Sequence, residues 1–425
     1  MTETERMARN AKPSSWLFVH DHHFVQKDDY VGSRNGFGAP LWRRYLQFCD
    51  RLTVIGRQGP QAKDEDLIRA SHERVDFCLV SDCGSPLGRM MGSEEQRSVL
   101  AREIAKHDVV VARIPSRLGL AAIAIARELH KPVAVEVVGC AWSAMWDHGS
   151  LAGKAFAPIH WHEMRKAVRE AEHVMYVTDR YLQDRYPTLA GNVEIASNVE
   201  LPATTAANGN PVLDPIILEK RIARIATMPT RPVRLGLIGS LKVRSKGIQF
   251  VLQALQGLRA EVTFHVLGAG EQKPWLAEAR ELGVEGMVTF HGSLPEGEAV
   301  LEWLDDIDLY LQPSLQEGLP RALIEAMSRA CPAIGSKCAG IPELLDPAMI
   351  VPKRDVGALQ KRISSLMEDR TELERQARCN FEAAHRYLSP ALAERRKKFL
   401  SRVIKNTEAN GVTCEKTVRS AQPQI

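Results

Sequence analysis

Short runs in which nearly every position is apolar alternate along the chain with stretches whose apolar residues recur every three or four positions. In the first half the runs are WLFVH from Trp16, RLTVIG from Arg51, VDFCLV from Val75, DVVVARI from Asp108, PVAVEVV from Pro132 and HVMYVT from His173. Helical patterns such as SEEQRSVLAREIAKH and LGLAAIAIARELH lie between them. The second half repeats the alternation with VRLGLIG from Val233, EVTFHVLG from Glu261, GMVTFHG from Gly286, IDLYLQP from Ile307, CPAIGS from Cys331 and a last short run, AMIVP, from Ala348. Strands with few polar positions, separated by helices, form buried parallel sheets with right-handed crossovers. Between the two series, residues 201–232 are rich in Pro, Ala, Thr and Asn and break the rhythm. From Asp355 onward helical patterns follow one another, ending in PALAERRKKFLSRVIK. The pattern predicts an α/β protein of two Rossmann-like, doubly wound domains, 15–200 and 233–387, joined by a linker over 201–232. Residues 388–406 are expected to form a final helix. Residues 1–14 and 407–425 lack apolar periodicity and are expected to be disordered.

Composition narrows the class. A chain of 425 residues exceeds one ordinary core, which agrees with two domains. A formal charge of +4 is too small to argue for nucleic acid, although local basic patches can still meet a membrane or an anionic substrate. The eight cysteines are scattered singly, without a C-x-x-C pair, and read as reduced thiols. No apolar run approaches the roughly 18–20 residues of a membrane helix. The N-terminal MTETERMARNAKPSS is polar and unlike a secretory signal. A cytoplasmic protein is expected.

Tandem doubly wound domains bind ligands in the crevice beyond the C-terminal ends of their strands. Three strand-to-helix junctions of the second half could hold phosphate. GLIGSLKVRSKGIQF places Gly239 at a strand end, with Ser240, Lys242, Arg244, Ser245 and Lys246 before a helix. Backbone donors and cations together suit a diphosphate; a solvated basic loop would read the same way. VLGAGEQ brings Gly268 and Gly270 to the next strand end, a pattern any tight turn can share. In PSLQEGLPRALIEAM, Pro320 suits the first helical position, and the N–H groups of Gly318 and Leu319 point outward at a helix start. Leu319, Leu323, Ala326, Met327 and Ala330 form one apolar stripe. Glu325 falls on the opposite face, four residues from Arg321, where either a solvated ion pair or a ligand-binding carboxylate fits.

From Val233 to about Val351 the chain resembles the donor-binding domain of retaining glycosyltransferases of the GT-B fold, glycosyltransferase family 4. The resemblance rests on Gly239, the Lys246-Gly247 pair, GAG at Gly268, VTFHG ending at Gly292, DLYLQPSLQEGLPRALIEAMSRACPAIGS and AGIPELL from Ala339. Glu317 and Glu325 match that family's E-x7-E element. The resemblance implies that Glu317 faces the transferred sugar and Glu325 accepts from ribose hydroxyls. Gly318, Leu319 and Pro320 would lie against the donor. Lys246 would neutralise the leaving diphosphate, and the base would stack or hydrogen-bond near His291 and Gly292. Two positions depart from the family. Ser240 stands where an arginine is common, leaving Lys242 or Arg244 to substitute. The strand PVAVEVVGCAW carries Gly139 or Cys140 where a histidine is frequent, and His148 is too far along to replace it.

The first half resembles an acceptor domain only loosely. VGSRNGFGAP, with Gly36 and Gly38, reads either as a loop approaching donor phosphate and acceptor or as a flexible surface loop. VHDHHF invites a metal reading, but successive strand residues point to opposite faces, and a strand end or an acceptor contact explains it as well. Trp142, Trp146 and Asp147 suit either sugar stacking or core packing. The basic run Arg395, Arg396, Lys397 and Lys398 fits a weak contact with anionic lipid or the solvated side of the final helix, 388–406, which the resemblance implies crosses back to the first domain. The expected protein is an enzyme, a cytoplasmic retaining glycosyltransferase of hexosyltransferase type. Its donor is a nucleoside-diphosphate sugar, and its acceptor a saccharide or lipid-linked saccharide of bacterial exopolysaccharide or surface polysaccharide synthesis. Neither a metal nor a separate cofactor is expected, and contact with the inner face of the membrane would be peripheral. A nucleotide-sugar 2-epimerase of the same fold and a non-catalytic nucleotide-sugar sensor or scaffold remain the alternatives.

Overall fold

The computed structural model describes residues 14–34, 36–62, 67–81, 93–146, 151–258 and 261–420. The expected disordered N-terminus therefore lies outside the described residues up to residue 13, as do Asp147 and His148. The first sheet contains β1 (Ser15–Gln26), β2 (Val31–Ser33), β3 (Arg51–Gln58), β4 (Ile68–Arg69), β5 (Val75–Val80), β6 (Val109–Ile114), β7 (Val133–Val137), β8 (His173–Tyr176) and β9 (Asn192–Ile195). Its parallel body runs β5-β3-β1-β6-β7-β8-β9, and β2 with β4 adds antiparallel to the far end of β1. Period-two alternation sends Trp16 and Phe18 into one core layer and Leu17 and Val19 into the other. Both faces are thus covered, by α1 (Ala39–Arg43), α2 (Glu94–Lys106), α3 (Arg117–Glu128), α4 (Ala141–Trp146), α5 (Leu151–Arg169) and α6 (Tyr181–Arg185).

The stretch expected to be a linker carries more structure than its composition suggests. A small hairpin of β10 (Thr204–Thr205) and β11 (Pro211–Val212) precedes α7 (Pro215–Thr227). Asp214 caps that helix by accepting from the Ile216 N–H, and Pro215 opens it. Buried Arg221 then donates to the carbonyls of Leu304 (2.9 Å) and Arg329 (3.1 Å), fastening α7 to the second half. The Asp-Pro start and the stripe of Ile217, Arg221 and Ile225 were the available signals, obscured by the polar residues before them.

The second sheet, β14-β13-β12-β15-β16-β17, is parallel throughout. It comprises β12 (Val233–Ile238), β13 (Val262–Leu267), β14 (Val288–Phe290), β15 (Leu309–Gln312), β16 (Ala333–Ser336) and β17 (Ile350–Val351). Around it lie α8 (Ile248–Leu255), α9 (Lys273–Glu281), α10 (Glu298–Asp305), α11 (Arg321–Ser328), α12 (Val356–Glu368) and α13 (Arg370–Ala384). In each sheet the chain reverses direction of growth beside its founding strand, between β1 and β6 and between β12 and β15. That reversal opens a crevice at the strands' C-terminal ends.

The last helix, α14 (Ser389–Ser420), returns to the first sheet. The Asn192 amide of β9 donates to the Phe399 carbonyl at 3.1 Å, and Arg395 donates to the Ile195 carbonyl at 3.4 Å. A disordered tail was expected from residue 407, yet the helix continues to Ser420. Adding residues to a helix already nucleated by packing needs no apolar face of its own. Arg396 is buried, and Phe399 and Leu400 belong to the core. Of the basic run, Arg395 is half-buried and Lys397 and Lys398 are exposed.

Candidate active site

The junctions singled out in the sequence meet at the C-terminal edge of the second sheet. The Gly239 N–H donates to the Leu267 carbonyl (2.9 Å), and that of Gly268 to the Gly292 carbonyl (2.7 Å), so three strand ends form one rim. After β12 the chain makes one turn of 3-10 helix over Arg244–Lys246. It reverses at Gly247, whose φ of 84° favours glycine. A Cβ there would also collide with the Pro313 carbonyl. This close approach delivers Lys246 to the loop after β15.

In that loop one oxygen of Glu317 gathers three donors. Its Oε1 accepts from Lys246 Nζ at 2.7 Å, Ser314 Oγ at 2.8 Å and Gln312 Nε2 at 3.0 Å. Gln312 is itself held by the Tyr310 hydroxyl, which donates to its Oε1 at 2.9 Å. The Glu317 side chain is only 8% exposed and Lys246 28%. A carboxylate and an ammonium are thus fixed side by side at the mouth of the crevice. Gln312 and Ser314 were not anticipated as supports, although a glutamine ending the apolar strand IDLYLQP was a readable sign.

Glu325 lies one turn inside α11. The helix is buried at Leu323, Ile324, Ala326, Met327 and Ser328, so no broad solvated face exists, and Arg321 reaches towards Glu296 instead. Glu325 is half-buried, and no side-chain donor among the described residues satisfies it. Burial raises its carboxyl above the usual value, against the pull of Arg321. The solvated ion-pair reading is thereby corrected, and a half-desolvated acceptor remains. Pro320 stands one residue earlier than expected, in extended backbone at the N-cap. Leu319 is buried and its side chain packs near Gly340. Among the described residues nothing accepts from the N–H of Gly318 or Leu319.

Other expected donor contacts divide. Lys242 is exposed, its backbone N–H resting on the Ser240 hydroxyl at 3.3 Å. Arg244 instead pairs with Glu278 at 2.9 Å and covers the Trp275 ring at 5.0 Å. In this structure it therefore rests on α9. The His291 ring meets His265 Nδ1 at 2.9 Å and stands edge-on to Trp303. Burial, with Arg234 next, pushes His265 down to about 4 and His291 below its ordinary value. The two rings form a neutral pair, with His291 exposed beside the left-handed turn at Gly292.

The first sheet closes the crevice. A Cβ on Gly318 would collide with the Val138 carbonyl just beyond β7, so only glycine lets the two units touch there. Gly36 lies beside the Arg321 guanidinium, and Phe37 anchors the loop by stacking on His22 (4.1 Å) and His20 (5.0 Å). Gly38 packs against Ile68. Burial, then Arg113, holds His20 well below its ordinary value, and its Nδ1 is buried without a partner among the described residues. Asp21 pairs with Arg57 at 2.9 Å and caps α3 through the Arg117 N–H. VHDHHF thus splits into a strand bulge, a helix cap and a ring stack. Trp142 packs on the core and Trp146 is exposed beside it. Cys140, at the position lacking histidine, is buried with its Sγ 3.2 Å from the Tyr186 hydroxyl. A contact the sequence reading missed is Glu343, whose carboxylate accepts from the backbone N–H groups of Asp179 (2.7 Å) and Tyr181 (2.5 Å) across the crevice.

Two doubly wound sheets meeting at this rim define a glycosyltransferase of the GT-B fold. The chain belongs to the family described as Glycosyl transferases group 1, whose model matches residues 232–369. Protein CapJ of Staphylococcus aureus is 31% identical over 352 residues, covering 82% of this chain and 85% of CapJ. A Campylobacter jejuni enzyme, N,N'-diacetylbacillosaminyl-diphospho-undecaprenol alpha-1,3-N-acetylgalactosaminyltransferase, is 26% identical over 164 residues, covering 38% of this chain and 43% of its own. Among solved structures, Anabaena HepE in complex with UDP and glucose superposes with a TM-score of 0.64 at 15% identity, over 92% of this chain and all of that one.

Proposed function

We propose that this glycosyltransferase retains anomeric configuration, taking a sugar from a nucleoside-diphosphate donor and passing it to a lipid-linked saccharide in surface or exopolysaccharide synthesis. The observation that carries the donor assignment is the cluster of Lys246 and Glu317, with the half-buried acceptor Glu325 and the N–H groups of Gly318 and Leu319. The diphosphate would lie between Lys246 and those N–H groups, which stabilise the charge developing as the sugar–phosphate bond breaks. Glu317 would face the reacting carbon, and Glu325 would accept from the vicinal ribose hydroxyls, a diol that one carboxylate can bind with both oxygens. A same-face substitution, with the leaving phosphate taking the acceptor's proton, conserves the configuration. The HepE complex with UDP and glucose supports a nucleotide-sugar donor, and the undecaprenol-linked substrate named for the Campylobacter relative supports the acceptor class.

Lys246 and the helix-start donors take the role a divalent ion has in other transferases, so turnover proceeds without one. Thermal shifts against a panel of UDP-, GDP- and ADP-sugars, followed by nucleotide release from the best binder in excess chelator, test both statements. Stabilisation by one nucleotide class and release of nucleotide plus free sugar are expected. A C2-epimerised product would assign the site to the epimerase reading. Binding without any turnover would make the protein a sensor, and activity restored only by magnesium or manganese would overturn the metal-independent mechanism.

A further inference from the structure

A diphosphate carries more charge than the β12 loop balances. Lys246 shares its ammonium with Glu317 at 2.7 Å. Ser240 brings no charge, Arg244 rests on Glu278 and Trp275, and Lys242 is exposed. A further cation comes from another element. Arg321 is the first residue of α11, directly after the turn that carries the Gly318 and Leu319 N–H groups. Its side chain is 47% exposed, and its ion pair is with Glu296, itself 59% exposed, at 3.8 Å. An exposed pair of that length contributes little. Burial raises the Glu325 carboxyl, and Arg321, four positions back, is close enough to oppose that shift while Glu296 adds to it. Across the crevice the Gly36 backbone faces the guanidinium: a Cβ there would lie 3.8 Å from Arg321 Nη2. Gly36 has a φ of 59°, which favours glycine, so the loop meets Arg321 without a side chain between them.

We propose that Arg321 is the second cation of the donor site, its guanidinium exchanging Glu296 for the diphosphate. The assignment rests on the nucleotide-sugar reading. A guanidinium holds phosphate oxygens in pairs through a planar fork, a geometry that an ammonium lacks. The phosphate thus offers a charge-assisted, two-point contact in place of one long contact in solvent. Position favours the same exchange. Arg321 stands one helical turn before Glu325, so a ribose held by Glu325 carries its phosphates towards the start of α11. There the guanidinium, the N–H groups of Gly318 and Leu319 and the positive end of the helix act together. Lys246 reaches the diphosphate from the β12 loop and Arg321 from the helix, so the two cations come from different elements. The bare backbone at Gly36 leaves room for a phosphate in front of the guanidinium, room that a side chain would fill.

The test is titration calorimetry with UDP, GDP and ADP, and with the nucleoside matching whichever diphosphate wild type binds tightest. It compares wild type, Arg321→Gln, Arg321→Lys and Lys242→Gln. Arg321→Gln is expected to weaken the diphosphate by roughly 10- to 100-fold, the scale of a lost charged hydrogen bond, and to leave the nucleoside unchanged. Arg321→Lys, which keeps the charge and loses the fork, is expected to fall between the two. Lys242→Gln should stay within about twofold of wild type, as suits an exposed cation in solvent. Melting temperature is the folding control and should not move, because Arg321 is exposed. Diphosphate affinity retained in Arg321→Gln overturns the assignment, as does a loss that appears in Lys242→Gln instead. An equal loss for nucleoside and diphosphate also overturns it, since Arg321 would then act on the Glu325 contact and not on phosphate. Wild type that binds none of the three diphosphates would remove the donor reading and this assignment together. Wild type that binds, beside an unaffected Arg321→Gln, removes this assignment alone.

Discussion

At the residue scale, two carboxylates eight positions apart have opposite circumstances. Glu317 is saturated on one oxygen by Lys246, Ser314 and Gln312, whereas Glu325 is half-buried and has no side-chain donor among the described residues. Substitutions at the two should therefore fail differently. Glu317→Gln removes the charge facing the reacting carbon and is expected to lower kcat by roughly 10²-fold or more. Glu325→Gln removes a contact made in ground and transition states alike, so KM should rise, by about 10- to 100-fold for a lost charged acceptor of about 1.5–3 kcal/mol. Stability moves the other way at Glu325. Its folded pKa is raised, so ionisation opposes folding; that cost is absent below the unfolded value near 4.5 and complete once pH exceeds the folded one. The ligand-free Glu325→Gln variant should consequently melt higher than wild type at pH 7.5, the gain vanishing towards pH 4. Wild-type kinetics in both variants would remove the pair from the site. The pair's spacing was legible in the sequence because it falls in one loop and one helix. Which partner each glutamate meets was not, since Lys246 arrives from a separate strand and Arg321 turns away to Glu296.

At the element scale, the site depends on loops that approach closer than any side chain permits. The left-handed reversal at Gly247 lays the β12 loop on Pro313, and Lys353 donates to the Leu315 carbonyl at 2.7 Å from beyond β17. Gly247→Ala should cost stability by about 1–3 kcal/mol through backbone strain and lower kcat by displacing Lys246. Gly318→Ala should leave each sheet intact but push Val138 away, lowering kcat/KM more than the melting temperature. Urea unfolding beside steady-state kinetics separates these outcomes, and a Gly247→Ala enzyme of wild-type stability would refute the strain. Strand positions followed from apolar runs, because buried parallel strands leave a dense signal. β9, with only Val193 and Ile195 apolar, and α7, opening after a polar stretch, left too little periodicity to be read.

At the scale of the whole molecule, the two sheets are joined by polar contacts as well as by glycine. Glu343 binds the N–H groups of Asp179 and Tyr181, and Arg386 pairs with Asp179. Glu343→Ala leaves those donors unpaired, a loss of about 1–3 kcal/mol. Because the contact links the two sheets, denaturation followed by tryptophan fluorescence should resolve into more widely spaced steps than in wild type. An unchanged transition would show that the clamp contributes nothing. This contact was invisible in the sequence: Glu343 sits in AGIPELL, whose apolar neighbours advertise packing and say nothing of a partner more than 160 positions away.

The return of α14 to the first sheet bears on how the chain is made. β9 is the edge strand of that sheet, and what covers it, through Phe399 and Arg395, is translated about 200 residues later. At a ribosomal pace of roughly 5–20 residues per second, the nascent first half presents an unprotected strand edge for tens of seconds. Edges of that kind are templates for pairing with other chains. Until α14 is made and packs on the first sheet, that edge is the part of the emerging chain most in need of shielding.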